Sequence, residues 1–568
     1  MYNSYLFTAY NILCLQLAAG NIIHSAQMSL SLFKSPAITL AAVVMNLAQC
    51  HTSQVKSTMD AAADSSTRQR HIHAAVPLKN MFGINSYEWN FLENPAAPNN
   101  RNGIYEDNMA LIKSFSAVRH YLNWNKLEST EGNYTYNPTN NGNWNYDLIY
   151  TRCKQDSILV LADIKNLPVW MMNSYPADQR NDENVPAYYN ADRSSPKSYV
   201  VQAHTAFQFA ARYGYNTKIN PMLVKVDARP RWKNDRVNEV KIGMGLIKYI
   251  ECGNENDRWW KGSKATQTPE EYAANLSAFY DGHKHTLGPN AGVKTADPGM
   301  QVVMGGLATA DVNYVKRMVD WCKANRGYNA DGTINLCFDV INYHLYSNDG
   351  SVLTHRKATT GVAPELSEAP EIAKSFIDYA NSLPNHPPVW LTEAGYDINQ
   401  GSYQKAPPIG TKTPLITQAD WILRTSLLYA RMGFNRLFFY QLFDAYPNKA
   451  QQYSTSGLAE GTKRRPAADY ILQTSKLMGD YSYVSTLNSD PLVDKYQKGK
   501  QAMYVLTVPD QKGRTTPYTL TLGEGVKSAT LYNLIPGSDT MKSTQLKVNN
   551  GKVTIQASET PVFVQPFK

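Results

Sequence analysis

The chain has 568 residues, 43% of them hydrophobic and 18% charged, with 37 Tyr and 10 Trp. This composition excludes a largely disordered protein, and the length fits one large domain plus a small one better than several equal domains. The formal net charge of +9 comes from scattered basic residues, so the charge does not indicate a nucleic-acid-binding protein.

A short apolar segment near the N-terminus predicts export. Residues 35–49 follow Lys34 and are too few to span a bilayer as a stable helix, but they are enough for the core of a signal peptide. The segment ends in LAQC at Cys50, which resembles a bacterial lipoprotein box with Gln49 in place of the usual small residue. We predict a signal or lipoprotein-type leader over residues 1–50, with Met28 as an alternative start, and a periplasmic or cell-surface protein. An uncleaved membrane anchor is the alternative.

The small, polar residues 51–76 show no hydrophobic period and predict a flexible linker. The six cysteines lie far apart without a C-x-x-C pair, so the sequence predicts neither a zinc site nor a dense disulfide framework. A single disulfide between Cys322 and Cys337 is left open.

Eight short apolar runs bounded by turn residues predict eight strands, at residues 81–87, 117–124, 158–164, 247–253, 302–307, 338–346, 389–395 and 437–443. Helical patterns between them, such as 270–283 and 312–324, predict parallel strands joined by helices. Eight such units predict an α/β fold, a (β/α)8 TIM barrel over residues 77–478. The connection from 166 to 246 is unusually long, and we expect it to form a wall of a substrate cleft.

After a predicted helix at 466–477, the pattern changes to short alternating strands at 502–508, 518–522, 528–533, 545–548, 552–556 and 561–564. These predict a C-terminal antiparallel β-sandwich over residues 479–568. The predicted strands carry Tyr504, Tyr518 and Tyr532 but no tryptophan cluster. A domain that stiffens the barrel is therefore favoured over a carbohydrate-binding module.

Two glutamates, Glu255 and Glu393, follow the fourth and seventh predicted strands. Active sites of TIM barrels lie at the C-terminal ends of the strands, so both carboxylates should face one cavity. Glycosidic bond hydrolysis needs one carboxylic acid to protonate the leaving oxygen and a second carboxylate to attack or to activate water. The structural alternative is a pair of capping or salt-bridged carboxylates.

The segments GNE at 253–255 and WLTEAG at 390–395 resemble the glycoside hydrolases of clan A, and the resemblance covers roughly residues 77–475. Within this clan, the sequence is most similar to the β-xylosidase and cellulase-like families. The resemblance implies that Glu255 is the acid/base, Glu393 the nucleophile and Asn254 a partner of the sugar 2-hydroxyl, with retention of configuration. Neither a metal nor a cofactor is implied, because two carboxylates and water suffice.

Residues around the predicted pair suggest how it is supported. Arg119, near the end of the second strand, is predicted to lie by Glu393 and keep it ionised. At the sixth strand Tyr346 resembles the tyrosine or histidine of the clan that contacts the nucleophile or the substrate. His344 competes for this role, because the strand register is open.

Aromatic and amide side chains past the strand ends are the remaining substrate-binding candidates. The clan commonly offers a tryptophan at the eighth strand, where this chain has FYQLFD at 439–444, so Gln441 or Tyr440 is expected there. Trp259 and Trp260 are the tryptophans favoured to stack on sugar rings. Trp89, Trp124 and Trp170 are further candidates for stacking, with a place in the core as the alternative.

The leading hypothesis is a retaining β-glycanase that acts on polysaccharide or oligosaccharide, with endo action favoured. The alternatives are an exo-acting β-xylosidase or β-glucosidase, and a non-catalytic surface protein that binds glycans on a barrel scaffold. We expect a monomer that touches a membrane only through a lipid at Cys50.

Overall fold

The structure is a computed structural model that describes residues 75–97, 100–230, 236–351, 354 and 356–567. The predicted leader with Cys50, and the predicted linker up to residue 74, lie outside the described residues. Within the described ranges, no helix is long and apolar enough to cross a membrane.

Eight parallel strands form a nearly closed barrel. They hydrogen-bond in the order β5-β4-β3-β2-β1-β8-β7-β6, and isolated bridges from Val303 to Val340 and from Leu307 to Tyr343 link the β5 side to the β6 side. Each strand overlaps a predicted one, so the predicted (β/α)8 barrel is confirmed. The strands are β1 Gly83–Ser86, β2 Ala117–Asn123, β3 Leu159–Lys165, β4 Tyr249–Cys252, β5 Gln301–Met304, β6 Ile341–His344, β7 Val389–Glu393 and β8 Arg436–Phe439.

Helices connect the strands and cover the barrel. The patterns at 270–283, 312–324 and 466–477 correspond to the helices Pro269–His285, Val312–Asn325 and Pro466–Met478. Thr268 and Glu271 form a capping box at the start of the first of these helices. The helices are α1 Glu88–Leu92, α2 Glu106–Ile112, α3 Trp124–Leu127, α4 Tyr146–Gln155, α5 Val169–Met172, α6 Val200–Tyr213, α7 Pro269–His285, α8 Val293–Ala296, α9 Val312–Asn325, α10 Ala369–Ser382, α11 Pro414–Met432 and α12 Pro466–Met478. Short 3-10 turns occupy Leu78–Met81, Ala177–Gln179, Pro196–Tyr199, Pro221–Leu223, Trp259–Lys261 and Pro364–Leu366.

The inward-facing side chains change from apolar to polar along the strands. An apolar cluster fills the barrel and consists of Ala117, Leu161, Val303, Val340, Trp390 and Phe438. Because side chains alternate along a strand, Arg119 and Tyr121 of β2 follow Ala117 on the same face, and Asp163 and Lys165 of β3 follow Leu161. The charged side chains therefore collect toward the C-terminal ends of the strands.

The long connection between β3 and β4 is present as predicted, and it contains α5 and α6. Helix α6 packs beside α7 and α8 as a helix of the barrel layer. Arg212 in α6 makes a two-pronged contact with Asp147 in α4, at 2.9 and 2.7 Å. Arg212 also donates from Nη1 to the backbone oxygen of Glu239 at 2.7 Å, which connects α6 to the segment that leads to β4.

A sandwich-like C-terminal domain of antiparallel sheets follows α12, as predicted. Its strands are β11 Ser482–Ser489, β12 Leu492–Lys498, β13 Gln501–Thr507, β14 Thr516–Thr521, β15 Ser528–Asn533, β16 Lys542–Lys547, β17 Lys552–Ala557 and β18 Val562–Phe567, after a small hairpin of β9 Ala459–Glu460 and β10 Lys463–Arg464. The main sheet has the order β11-β12-β13-β18-β15-β16, and β14 pairs with β17.

Strands β11 and β12 were not predicted because polar residues interrupt their apolar pattern. Asp494 in β12 is buried, and Arg431 of α11 donates to its carboxylate at 2.8 and 3.0 Å. A second ion pair joins Lys412 to Glu559 at 2.6 Å. These buried charges couple the sandwich to the barrel.

Four cysteines are described, and all four are buried free thiols: Cys153, Cys252, Cys322 and Cys337. The sulfur atoms of Cys322 and Cys337 lie 3.4 Å apart. The disulfide that the sequence left open is not formed in this structure.

Candidate active site

Glu393, the last residue of β7, is a buried carboxylate that accepts three hydrogen bonds. Arg119 Nη1 donates to its Oε1 at 2.9 Å, Tyr346 OH donates to its Oε2 at 2.8 Å, and Tyr121 OH also donates to Oε1. Burial by itself raises the pKa of Glu393, but His344, Arg119 and the tyrosine hydroxyls outweigh burial, and the net pKa is lowered. The carboxylate is therefore ionised at neutral pH.

Arg119 donates hydrogen bonds to three carboxylates inside the barrel, those of Glu393, Glu251 and Asp163. Its Nε and Nη2 donate to both oxygens of Glu251 at 2.6 and 3.0 Å, and Nη2 also reaches Asp163 Oδ2 at 3.1 Å. The structure places Arg119 beside Glu393, as the sequence predicted. The guanidinium has no exposed surface, so in this structure Arg119 contacts other side chains of the site and presents no surface to solvent. Arg119 acts by positioning Glu393.

Glu255 lies in the turn after β4, on a backbone that bends sharply. Gly253 and Glu255 both have positive φ angles, 75° and 51°, and Glu255 N–H donates to Gly306 O at 3.0 Å. The side chain of Glu255 is 24% exposed, in contrast to Glu393. A Cβ at Gly306 would overlap the His344 ring, so glycine at this position lets the turn and His344 approach each other.

His344 and Tyr346 both face the site, so the choice that the sequence left open does not arise. His344 Nδ1 lies 3.0 Å from Glu255 Oε1 and 3.6 Å from Glu393 Oε1, and its Nε2 lies 3.0 Å from Thr392 Oγ1. Burial by itself lowers the pKa of His344, but the two carboxylates outweigh it and the net pKa is raised.

Two hydrogen bonds to its amide oxygen orient the side chain of Asn254. This oxygen accepts from Arg119 Nη2 at 2.8 Å and from Tyr121 OH at 3.3 Å. Among the described residues, none accepts a hydrogen bond from Asn254 Nδ2. The amide N–H groups are therefore available to a ligand.

One oxygen each of Glu255 and Glu393 and one ring nitrogen of His344 lie within 4.8 Å of one another. Carboxylate oxygens and an imidazole nitrogen are ligand types for several divalent metals. In this structure His344 Nδ1 already contacts Glu255, and the Glu393 carboxylate accepts its three hydrogen bonds. The same geometry suits proton transfer and nucleophilic attack.

The predicted tryptophans fall into two groups. Trp259 and Trp260 are 70% and 48% exposed in the 3-10 turn after β4, with perpendicular rings 6.1 Å apart. Trp124 is 1% exposed and donates from Nε1 to Glu128 Oε2 at 2.7 Å. The prediction that Trp124 stacks on a sugar is wrong, because α3 begins at this residue and turns its ring into the core. Trp170 is half-buried and packs against Trp124.

The region after β8 places Tyr440 toward the site. Its hydroxyl lies 3.2 Å from Tyr87 OH, and its ring packs edge-on against Tyr121. Gln441 is buried, and no described residue accepts from its Nε2. Its predicted contact with substrate stays a prediction.

Five further residues close to the site do not follow from the sequence motifs, namely Tyr87, Tyr121, Lys165, Glu251 and Tyr453. Tyr121 and Glu251 carry a usable signal, because each occupies an inward position of its strand. Tyr453 packs against Tyr346 with ring centres 4.6 Å apart. It lies in the loop after β8, where no periodicity marks it.

A scan of the sequence against protein-family profiles finds no match, and a search of curated proteins finds no relative. Solved structures do match. A family 39 glycoside hydrolase from the gut symbiont Bacteroides cellulosilyticus WH2 is 15% identical with a TM-score of 0.56, over 87% of this chain and 81% of that chain. A GH30 endoxylanase from Clostridium papyrosolvens C71 is 14% identical with a TM-score of 0.47, over 87% and 98%.

A family 51 α-L-arabinofuranosidase from Bifidobacterium longum is also 14% identical, with a TM-score of 0.49 over 87% of this chain and 98% of that chain. At these identities the similarity concerns the fold. This chain shares the barrel architecture of the family 39 glycoside hydrolase along most of its length.

Proposed function

We infer that the protein is a retaining glycoside hydrolase that cleaves β-linked glycans, with Glu255 as acid/base and Glu393 as nucleophile. One observation carries the proposal: a carboxylate oxygen of Glu255 and a carboxylate oxygen of Glu393 lie within 4.8 Å of each other. Retaining enzymes hold their carboxyl groups about 5–5.5 Å apart, whereas inverting enzymes leave about 6.5–9.5 Å for a water molecule.

The lowered pKa of Glu393 supports its role as the nucleophile. Glu393 has a lowered pKa and attacks the anomeric carbon as a carboxylate, while Glu255 gives its proton to the departing glycosidic oxygen. A covalent glycosyl ester with Glu393 results. Glu255, now ionised, takes a proton from water, the water oxygen attacks the anomeric carbon, and the bond to Glu393 breaks.

Neighbouring side chains support these steps without taking part in bond changes. Arg119 donates a hydrogen bond to one oxygen of the Glu393 carboxylate and Tyr346 donates to the other. His344 holds Glu255 toward the reaction centre. The free N–H groups of Asn254 donate to the 2-hydroxyl of the sugar, an interaction that strengthens in the transition state.

Polysaccharide cleaved within the chain is the favoured substrate. Trp259 and Trp260 offer exposed aromatic surface a few residues beyond Glu255, where sugars away from the cleavage point could stack. The connection between β3 and β4 supplies a cleft wall. Export with a lipid at Cys50, and a monomeric state, complete the proposal.

Product chromatography tests the proposal, with β-linked glucans, xylans, mannans and galactans as substrates and Glu393→Ala beside the wild type. We expect oligosaccharides from at least one polymer, their loss in Glu393→Ala, and normal activity in Glu371→Ala, which changes an exposed glutamate of α10. Proton NMR of the first product should show the β anomer. An α anomer would contradict retention, and glycan binding without release would favour the binding-protein alternative.

A further inference from the structure

Lys165 places a positive charge beside the nucleophile. It is the last residue of β3, on the inward face of the strand with Asp163. Its Nζ lies 4.2 Å from the centre of the Tyr121 ring. The hydroxyl of the same ring donates to Glu393, so the ammonium group lies next to the reaction centre.

Lys165 forms no ion pair with any described residue, although the charges of Asp163 and Glu393 act on it from a distance. Among the described residues, no carboxylate lies within 4.0 Å of Lys165 Nζ. Asp163 is already held by Arg119 at 3.1 Å, and burial raises the pKa of Asp163, which weakens its anionic character. Burial lowers the pKa of Lys165, and the charges of Asp163 and Glu393 offset that effect only in part.

A second cation, Arg258, lies in the turn after the neighbouring strand: β3 pairs with β4 through Ile164 and Cys252, directly before Lys165 and this turn. Arg258 follows Glu255 in the turn after β4, and it is 7% exposed. Its one carboxylate partner within the described residues is Glu183, at a long 3.5 Å, and Glu183 also binds Lys261 at 2.5 Å. The buried Nε of Arg258 has no hydrogen-bond partner. The charge of Arg258 contributes to lowering the pKa of Lys165, so the two cations act on each other.

We propose that Lys165 and Arg258 bind an anionic substituent, a carboxylate or a sulfate ester, on a sugar next to the cleaved bond. This inference rests on the proposed function and narrows its substrate class to acidic β-glycans. Hydrogen bonds from a lysine or arginine to an anion are about twice as strong as neutral ones. A neutral sugar leaves both cations poorly paired, and unpaired buried polar groups are what makes a site reject a substrate.

Binding to the inert variant Glu393→Gln tests this inference independently of turnover. Calorimetry would use pairs of oligosaccharides: uronate-containing oligomers against the same oligomers with carboxyl groups reduced to alcohols, and sulfated galactan oligomers against desulfated ones. We expect at least one acidic member to bind about tenfold to a hundredfold more tightly than its neutral partner. The uronate and sulfate pairs separate the two sources of charge.

Substitutions of Lys165 test whether this residue causes the preference for acidic over neutral oligosaccharides. In the Glu393→Gln background, Lys165→Met should bring the affinity ratio close to one, and Lys165→Arg should retain most of it. Lys154→Met is the matched control, because Lys154 also lies near a tyrosine ring, at 5.7 Å from Tyr215, but on α4. In Lys154→Met, the ratio of acidic to neutral affinity should equal the ratio measured for Glu393→Gln alone.

Two results would overturn the inference. One is that no acidic member binds more tightly than its neutral partner. The other is an acidic preference that survives Lys165→Met. If the wild type then still hydrolyses neutral β-glycans, the proposed function stands and only the anion site fails. A lack of hydrolysis of every glycan, with acidic preference intact, removes the enzymatic proposal and keeps the site.

Discussion

His344 Nδ1 lies 3.0 Å from Oε1 of Glu255, although the two residues are 89 positions apart in the chain. The other ring nitrogen of His344 contacts Thr392 Oγ1 at 3.0 Å, directly before Glu393 in β7. One imidazole thus spans from the strand of the proposed nucleophile to the turn of the proposed acid/base. The relative placement of the two carboxylates depends on these contacts of His344 and on the hydrogen bonds that Arg119 donates to Glu393 and Asn254.

Glu255→Gln removes the proton donor and preserves the shape of the side chain. We expect kcat/KM for aryl glycosides with poor leaving groups to fall by about 10²–10⁴-fold. For a dinitrophenyl glycoside the loss should be much smaller, because that leaving group departs without a proton. Rates across a leaving-group series measure the effect, with Glu371→Gln as control. A loss of equal size for all leaving groups would contradict the acid/base role.

Tyr346→Phe removes the hydroxyl that donates to Glu393 Oε2, a hydrogen bond that helps to lower the pKa of Glu393. The nucleophile must be ionised, so activity is lost as the pH falls through its lowered pKa. Without this donor the pKa rises, and the acidic limb of kcat/KM should move upward by about one pH unit. Tyr518→Phe, in the sandwich, should leave the limb unchanged. An unmoved limb in Tyr346→Phe would show that the hydroxyl does not tune Glu393.

Arg119→Met leaves Glu251, Asp163 and Glu393 as buried carboxylates without their shared cation. We expect a loss of about 3–5 kcal/mol in the free energy of unfolding at pH 7, measured with urea. Burial already raises the pKa of Asp163 in the wild type, and removal of Arg119 raises it further. Stability from a raised carboxyl pKa is present below the pKa of the unfolded chain and is lost as the pH rises.

The loss in Arg119→Met should therefore be larger at pH 7 than near pH 4, where protonated carboxyls need no cation. Arg317→Met, which removes an exposed arginine paired with Glu270, should unfold almost as the wild type does. Equal losses at the two pH values would mean that lost packing, and not unpaired charge, accounts for the effect.

Trp259→Ala and Trp260→Ala test the exposed pair after β4. Each ring is expected to stack on a sugar away from the cleavage point, so KM for a polymer should rise several-fold, with a smaller effect on an aryl monoglycoside. Initial-rate measurements on both substrates give the comparison. Tyr328→Ala, which removes an exposed ring elsewhere, is the control. Equal effects on both substrates would place the two tryptophans at the reaction centre instead.

Much of the barrel could be predicted because its strands are buried runs between turns, and this pattern is local. The placement of Glu255 and Glu393 could also be predicted, since the C-terminal ends of parallel strands meet on one face. The pattern failed where charge interrupts a strand. Strand β12 was not predicted because it contains the charged residue Asp494. The buried partner of Asp494 is Arg431, which belongs to α11 and cannot be identified from the pattern of β12.

The sequence alone sufficed to identify eight strands, the strand ends that carry the two glutamates, and Arg119 as a neighbour of Glu393. Only the tertiary structure decided that Trp124 turns into the core and that no carboxylate among the described residues forms an ion pair with Lys165. Strand periodicity depends on neighbours in the chain, whereas pairing of charges depends on atoms brought together from β2, β3 and β4. The burial and partners of a side chain are properties of the folded barrel, and no local pattern encodes them.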